Sequence, residues 1–274
     1  MHGIGNDYIY IHCPDGVPSG ISELSIEMSR RHESVGSDGI ILILPSETAD
    51  FMMRIYNADG SEARMCGNGI RCVGKFVYDK GLTDKTTLSV ETLSGIKTLW
   101  LHPGDDGLIE TVTVDMGMPS TTDSILGSDE KIESEVEVAG LQIRLTAVSM
   151  GNPHGIVFVN SLDSTDVHGL GRQLELNSMW PDRANIEFAE VTSLHSVEMR
   201  VWERGSGETM ACGTGACAAA EASVLTRRCE WPVNVKLLGG TLRIDKSPSG
   251  SILMTGPAAT VFEGRYLRHK KYRL

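Results

Sequence analysis

Residues 56–69 read YNADGSEARMCGNG and residues 203–216 read ERGSGETMACGTGA. Each ends in a Cys-Gly-x-Gly turn, Cys66-Gly67-Asn68-Gly69 and Cys212-Gly213-Thr214-Gly215, and each turn opens an apolar stretch of helical period. Laid on itself with an offset of 146 residues, the sequence places Cys66 on Cys212, Glu62 on Glu208, Asn57 on Glu203, and Gly5-Asn6 on Gly151-Asn152. One such turn twice over is an easy coincidence. Agreement at several polar positions over a single ungapped offset is not, and it marks two related halves.

Working outward, strand-like runs dominate: 8–12, 40–44, 51–56, 111–114, 155–159, 197–202 and 233–238. Helices are few, with the clearest over 21–32 (Ser19 or Ser22 as cap), 67–80 (stopped by Gly81) and 213–227. Gly239-Gly240 between two strand-like runs reads as a hairpin turn. Without regular strand-helix alternation the chain does not read as a doubly wound nucleotide-binding fold. The boundary between halves is expected in the polar stretch 118–130, and two halves of common ancestry face each other across a cleft, the default place for a ligand.

The 274 residues carry 36 Asp and Glu against 25 Lys and Arg, a net charge of -11, which argues against a nucleic-acid surface. The basic cluster over 265–273 reads as a solvated tail. No apolar run approaches the ~18 residues of a membrane span and no signal-peptide pattern opens the chain, so a cytoplasmic protein is expected. Six cysteines in such a chain are expected to be free thiols. The spacing Cys212-x4-Cys217 touches zinc-ligand spacing, but no second Cys or His pair completes a tetrahedral site, so no metal is expected. No lysine marks itself as the anchor of an electron-sink cofactor, and none is expected.

A cysteine at the first turn of a helix meets unpaired N–H groups and the positive end of the helix dipole, which favour its thiolate. The same N–H groups make an anion site for a carboxylate, and the glycine that follows admits close approach. Inverting a carbon requires taking a proton from one face and returning one to the other. A pair of such thiols, Cys66 and Cys212, one ionised and one not, suits that task. An isolated Cys-Gly would read as a structural residue before a tight turn; the pairing reverses that reading. Cys72 and Cys217, deeper in the same helices, read as core, and Cys13 and Cys229 as structural. His154 and Asn152 begin an apolar strand next to the expected cleft, and Glu203-Arg204 end another that leads into the Cys212 turn.

Together the segments MHGIGNDY, YNADGSEARMCGNG, MGNPH, RANIEF, ERGSGETMACGTGA and MTGPA resemble diaminopimelate epimerase over nearly the whole chain. The resemblance implies an α+β fold of two pseudo-symmetric domains, each a curved mixed β-sheet wrapped round a central helix. The division is expected at 1–117 and 118–260, with 261–274 returning as a final strand to the first half. It implies Cys66 and Cys212 as catalytic bases, with His154 and Glu203 handling protons. Asn6, Asn57, Asn152, Asn185 and Arg204 bind substrate, and Gly67-Asn68 and Gly213-Thr214 offer N–H groups to the reacting carboxylate. The implied partner is a small amino acid, in lysine and peptidoglycan-precursor biosynthesis, and the implied assembly a homodimer.

Two departures stand out: members usually carry a short first-strand segment before the MHGIGNDY motif, and Gly39 stands where some have Gln. Proline racemases share the two-cysteine plan but have His at the position of Asn68 and a different lead-in to the second turn. Relatives that racemise histidine or proline remain the alternative substrate class, and a non-catalytic amino-acid-binding protein the alternative of a different kind. The latter has no need of both thiols.

Overall fold

The structure is a computed structural model and describes residues 1–121 and 133–268. The duplication seen in the sequence is written into the helices. α1 (Ile21–Ser29) and α3 (Val167–Glu175) are offset by 146 residues at both ends, and so are α2 (Gly67–Asp79) and α4 (Gly213–Leu225).

Among the described residues most strands belong to one continuous mixed sheet. From one edge it runs Glu133–Val138, Leu141–Ser149, Pro153–Phe158, Asn185–Ser193, Ser196–Glu203, Val233–Leu237, Gly240–Lys246 and Ile252–Pro257. It continues through Ile109–Gly117, Gly95–Pro103, Thr87–Thr92, Phe51–Asn57, Gly39–Leu44 and Ile9–His12. Strand 252–257 pairs antiparallel with 109–117, and this ladder joins the two halves. In the second half α4 packs against seven strands of its own half and is buried along almost its whole length. Its alanines, Ala216, Ala218, Ala219, Ala220 and Ala222, are all fully buried, because a helix enclosed by a sheet needs small side chains on every face. α1 and α3 lie on the outer faces, each in a smaller core of its own half.

The structure alters several expectations. α1 ends at Ser29 rather than at 32, and its N-cap is Gly20 with no side-chain bond, so neither Ser19 nor Ser22 caps it. Arg30 leaves in an extended conformation and the chain doubles back, with Gly36 N–H on Met28 O. α3 is an addition to the helices expected from the sequence. Its own sequence, VHGLGRQLE, holds two glycines and a thin apolar stripe, and the Asp166 side chain starts it by accepting from Gly169 N–H. The 146-residue offset applied to α1 locates it. The tight turn after strand 233–237 is Leu238-Gly239, with Gly240 already paired opposite Leu237.

Residues 118–121 of the expected boundary are irregular apart from a bridge at Ser120, and 122–132 lie outside the described residues. The returning strand expected over 261–274 is absent over 261–268, and its remainder lies outside the described residues. The return to the first half is made instead by Ala259, bridged to His2, and by Tyr266, whose hydroxyl donates to Glu27. Gly39 faces Tyr56 O so closely that a Cβ would lie 2.1 Å from it, so this backbone has no room for a side chain there. No described helix is long and apolar enough to cross a membrane.

Candidate active site

The two Cys-Gly-x-Gly turns do the same local job. Cys66 is the N-cap of α2 and its Sγ accepts from Gly69 N–H at 3.2 Å; Cys212 is the N-cap of α4 and its Sγ accepts from Gly215 N–H at 3.3 Å. Each thiol thus satisfies one of the orphan donors of its helix, the task usually given to Ser, Thr or Asp. Behind each turn the repeated glutamate is a brace: Glu62 pairs with Arg54, and Glu208 takes both Arg200 donors, Nε at 2.6 Å and Nη2 at 3.0 Å.

Both turns open onto one cleft of about 1830 Å3 between the halves. Every site residue expected from the sequence lines it except His154 and Asn185. Asn6 accepts from the Cys66 thiol at 3.2 Å through Oδ1 and donates to Asp38 at 2.8 Å. On the other side Thr214 Oγ1 lies 3.5 Å from Cys212 Sγ and accepts from Asn152 Nδ2 at 3.4 Å. The Asn68 side chain spans the halves, donating to Ala211 O at 3.2 Å. Glu203 turns inward and accepts from Thr209, while Asn57 Oδ1 accepts from Tyr8 OH at 3.4 Å.

His154 is fully buried behind the cleft lining and meets it through Asn152 Oδ1, 3.2 Å from Nε2; its Nδ1 lies 2.7 Å from Oε1 of Glu187. Asn185 is buried as a brace, accepting from Arg204 N–H at 2.9 Å and donating to Pro153 O at 3.3 Å. The Arg204 guanidinium is exposed rather than buried and pairs with Asp182 at 2.9 Å. Glu187 and Arg71, both fully buried close to the thiols, escape a reading of the sequence. Glu187 sits at an apolar-flanked strand position whose repeat partner is Ile41, and an acidic residue opposite an isoleucine is the available signal.

The helix ends do not lower the thiols as expected. Burial pushes Cys66 up to about 11, with Glu203 adding to it against the Gly69 N–H and the Arg71 cation. Burial pushes Cys212 well above the usual thiol range, reinforced by Glu203 and Glu187. Burial raises Glu203 as well. Desolvation shifts fully buried groups by up to ~3–5 pH units, whereas a helix terminus contributes only ~0.3–2 kcal/mol. Burial therefore outweighs the helix terminus at both sulfurs. Among the described residues no three His, Cys, Asp or Glu side chains converge as a metal site would require.

The family model for diaminopimelate epimerase matches residues 1–122 and 146–261. The chain belongs to the diaminopimelate epimerase family. A diaminopimelate epimerase of Acetivibrio thermocellus is 49% identical over 269 residues, covering 96% of both chains. One of Methanococcus maripaludis is 49% identical, covering 96% of this chain and 97% of its own, and one of Phocaeicola vulgatus is 47% identical over 268 residues. Among solved structures, a hydroxyproline epimerase from Agrobacterium vitis matches with a TM-score of 0.68 at 16% identity, covering 93% of this chain and 87% of its own. A methylitaconate-delta-isomerase matches with a TM-score of 0.65 at 14% identity, covering 96% and 92%. The diaminopimelate epimerase family thus shares its α+β fold, a large mixed sheet with few helices, with enzymes named for other substrates.

Proposed function

We propose that this chain is a cofactor-independent epimerase that interconverts LL- and meso-2,6-diaminopimelate by proton transfer between two thiols at one α-carbon. The observation that carries the reading is the pairing of Cys66 and Cys212, each capping a helix whose first turn opens into one cleft. One thiolate takes the α-proton from its face, and the electron pair left behind spreads into the substrate carboxylate. First-turn N–H groups of α2 and α4 (Gly67-Asn68 and Gly213-Thr214) favour that negative charge. The opposite thiol returns a proton to the other face, so the product departs with the two sulfurs in exchanged states. Glu203, half-buried beside both thiols, and His154, acting through Asn152, assist the proton movements.

Asn6, Asn57, Asn152 and Arg204 at the cleft, with Asn185 behind Arg204, form the substrate-holding set. The distal carboxylate displaces Asp182 from Arg204, whose fork donates two parallel bonds. The identity of the curated relatives supports diaminopimelate over histidine or proline. The family resemblance sets this reaction in lysine and peptidoglycan-precursor biosynthesis and goes with a cytoplasmic homodimer.

The test is α-proton exchange in deuterium oxide, followed by NMR with diaminopimelate, lysine, histidine and proline side by side. Diaminopimelate is expected to exchange far faster than the others, and Arg204→Ala to erode that preference by about 10- to 100-fold, the cost of one lost charged hydrogen-bond pair. Equal turnover of proline or histidine would point to the other racemases, and binding without exchange to a non-catalytic binder.

A further inference from the structure

The two halves are not electrically equivalent, and three of the departures from symmetry lie beside the thiols. Under the 146-residue offset Ile41 corresponds to Glu187, Tyr8 to His154, and Arg71 to Cys217. The backbone contacts are equivalent. A Cβ on Gly69 would lie 2.5 Å from Ile41 Cδ1, and a Cβ on Gly215 would lie 2.5 Å from Glu187 Oε1. Gly69 and Gly215 are the residues whose N–H groups hold the two sulfurs. The fold therefore presses an isoleucine against the turn that holds Cys66 and a carboxylate against the turn that holds Cys212.

Glu187 is fully buried; its Oε1 meets His154 Nδ1 at 2.7 Å and its Oε2 has no hydrogen-bond partner among the described residues. The pair is a dipole with its carboxylate end toward the Cys212 turn. The buried Arg71 lies on the other side, its Nη1 donating to Gly67 O and Asn68 Oδ1 in the first turn after Cys66. The charged and titratable groups facing Cys212 are Glu203 and Glu187, with His154 behind the latter; those facing Cys66 are Glu203, Arg71, Tyr8 and Tyr10. Glu203 faces both sulfurs and its side chain also bonds to Cys212, so it adds to the same order. Beyond it, a second buried carboxylate, Glu187, stands on the Cys212 side and a guanidinium, Arg71, on the Cys66 side.

The geometry points to Glu187 as a positioning residue that orders the two thiols, making Cys212 the proton-bearing member of the pair and Cys66 the more acidic one. A substrate whose α-proton faces Cys66 then meets the sulfur more easily ionised and an opposing thiol already loaded with its proton. The order of the two thiols, which a strictly symmetric pair would lack, is reinforced by a buried residue that is not among the residues lining the cleft. This rests on the two-thiol reading above.

Thiolate-selective alkylation of the ligand-free full chain with iodoacetamide, followed by peptide mass at Cys66 and Cys212 across a pH series, reads the order directly. Midpoints in pH are compared, not rates, so unequal access does not matter. In the unsubstituted protein Cys66 is expected to ionise at lower pH than Cys212. Glu187→Gln keeps the shape and removes the charge, and is expected to bring the Cys212 midpoint down to a pH about 1 lower, about tenfold more thiolate at a given pH, while leaving Cys66 in place. Glu187→Asp, which keeps the charge, is expected to preserve the original order. A Cys212 midpoint at or below that of Cys66 in the unsubstituted protein overturns the proposal, as does a Glu187→Gln variant that moves both midpoints equally or neither. If Glu187→Gln fails to fold, the unsubstituted order and Glu187→Asp still decide. Alkylation reads ionisation rather than turnover, so failure here leaves the epimerase reading intact, and failure of exchange leaves the order intact.

Discussion

Gly67 and Gly213 face each other where α2 and α4 begin: a Cβ on Gly67 would lie 3.8 Å from Gly213 Cα, and a Cβ on Gly213 would lie 3.6 Å from Gly67 Cα. Two helix N-termini abut because neither first residue has a side chain. The positive ends of two dipoles and two sets of orphan N–H groups are thereby gathered at the floor of one cleft, which an anionic substrate neutralises.

Gly213→Val should push the helix starts apart, since the new side chain meets Met254 Sδ at 3.2 Å and the Asn68 side chain behind it. A displacement of about 1 Å in such a site costs about 100-fold in rate. Exchange activity is expected to fall by that order while circular dichroism remains that of a folded protein. Unchanged activity would mean the abutment has no part in the chemistry.

In the proposed mechanism Cys66→Ala and Cys212→Ala each remove the acid or base of one face. A loss of about 10²- to 10⁴-fold in net epimerisation is expected for either, the usual worth of one proton-transfer group. Melting temperature should move by only a few degrees, because a single cap contributes about 1 kcal/mol. A near-normal rate in Cys212→Ala would exclude the two-base mechanism.

Stability should fall with alkaline pH. Burial raises Cys66 to about 11 and Cys217 to about 12 from an ordinary value of 9.0, so the unfolded chain releases these protons first. Their contribution is fully present below pH 9 and is lost as pH rises toward 11 and 12. Each thiol loses about 1.4 kcal/mol for every pH step of one through that window. Melting curves from pH 9 to 11 are expected to show a shallower decline for Cys66→Ser, whose hydroxyl keeps its proton throughout. Parallel declines would show that Cys66 is not desolvated.

Gly239→Ala should be severely destabilising. A Cβ there would sit 1.8 Å from Ile4 O and 3.2 Å from Met210 O, backbone atoms that no rotamer change moves aside. Ile4, itself at φ 48, leads through Gly5 to Asn6, which accepts from Cys66. A loss of about 1–3 kcal/mol is expected in urea unfolding, with a drop in activity as Asn6 shifts. A midpoint equal to that of the unsubstituted chain would contradict the tight contact.

Much of this site is legible in one dimension. The Cys-Gly-x-Gly turns stand out by residue type, the offset pairs them, and α2 and α4 fall within two residues of their expected ends. α3 is not legible, because its glycines and polar residues carry little local preference; Asp166 and packing on strands 185–193 and 196–203 make it a helix. The resemblance makes Arg204 and Asn185 a substrate grip, yet one holds Asp182 and the other the Arg204 backbone. A sequence records which residue is present, not whether its donors are already taken.

By itself the sequence determined the repeated turns, the two capping thiols and the family to which the chain belongs, because these depend on residue types at short, fixed spacings. Only the tertiary structure decided that burial outweighs the helix dipole at both sulfurs, that His154 lies behind the cleft lining, and that Glu187 and Arg71 stand on opposite sides of the pair. The reason is physical: desolvation and charge act through space, and Glu187 comes against the turn of Cys212 only when strand 185–193 is laid beneath α4.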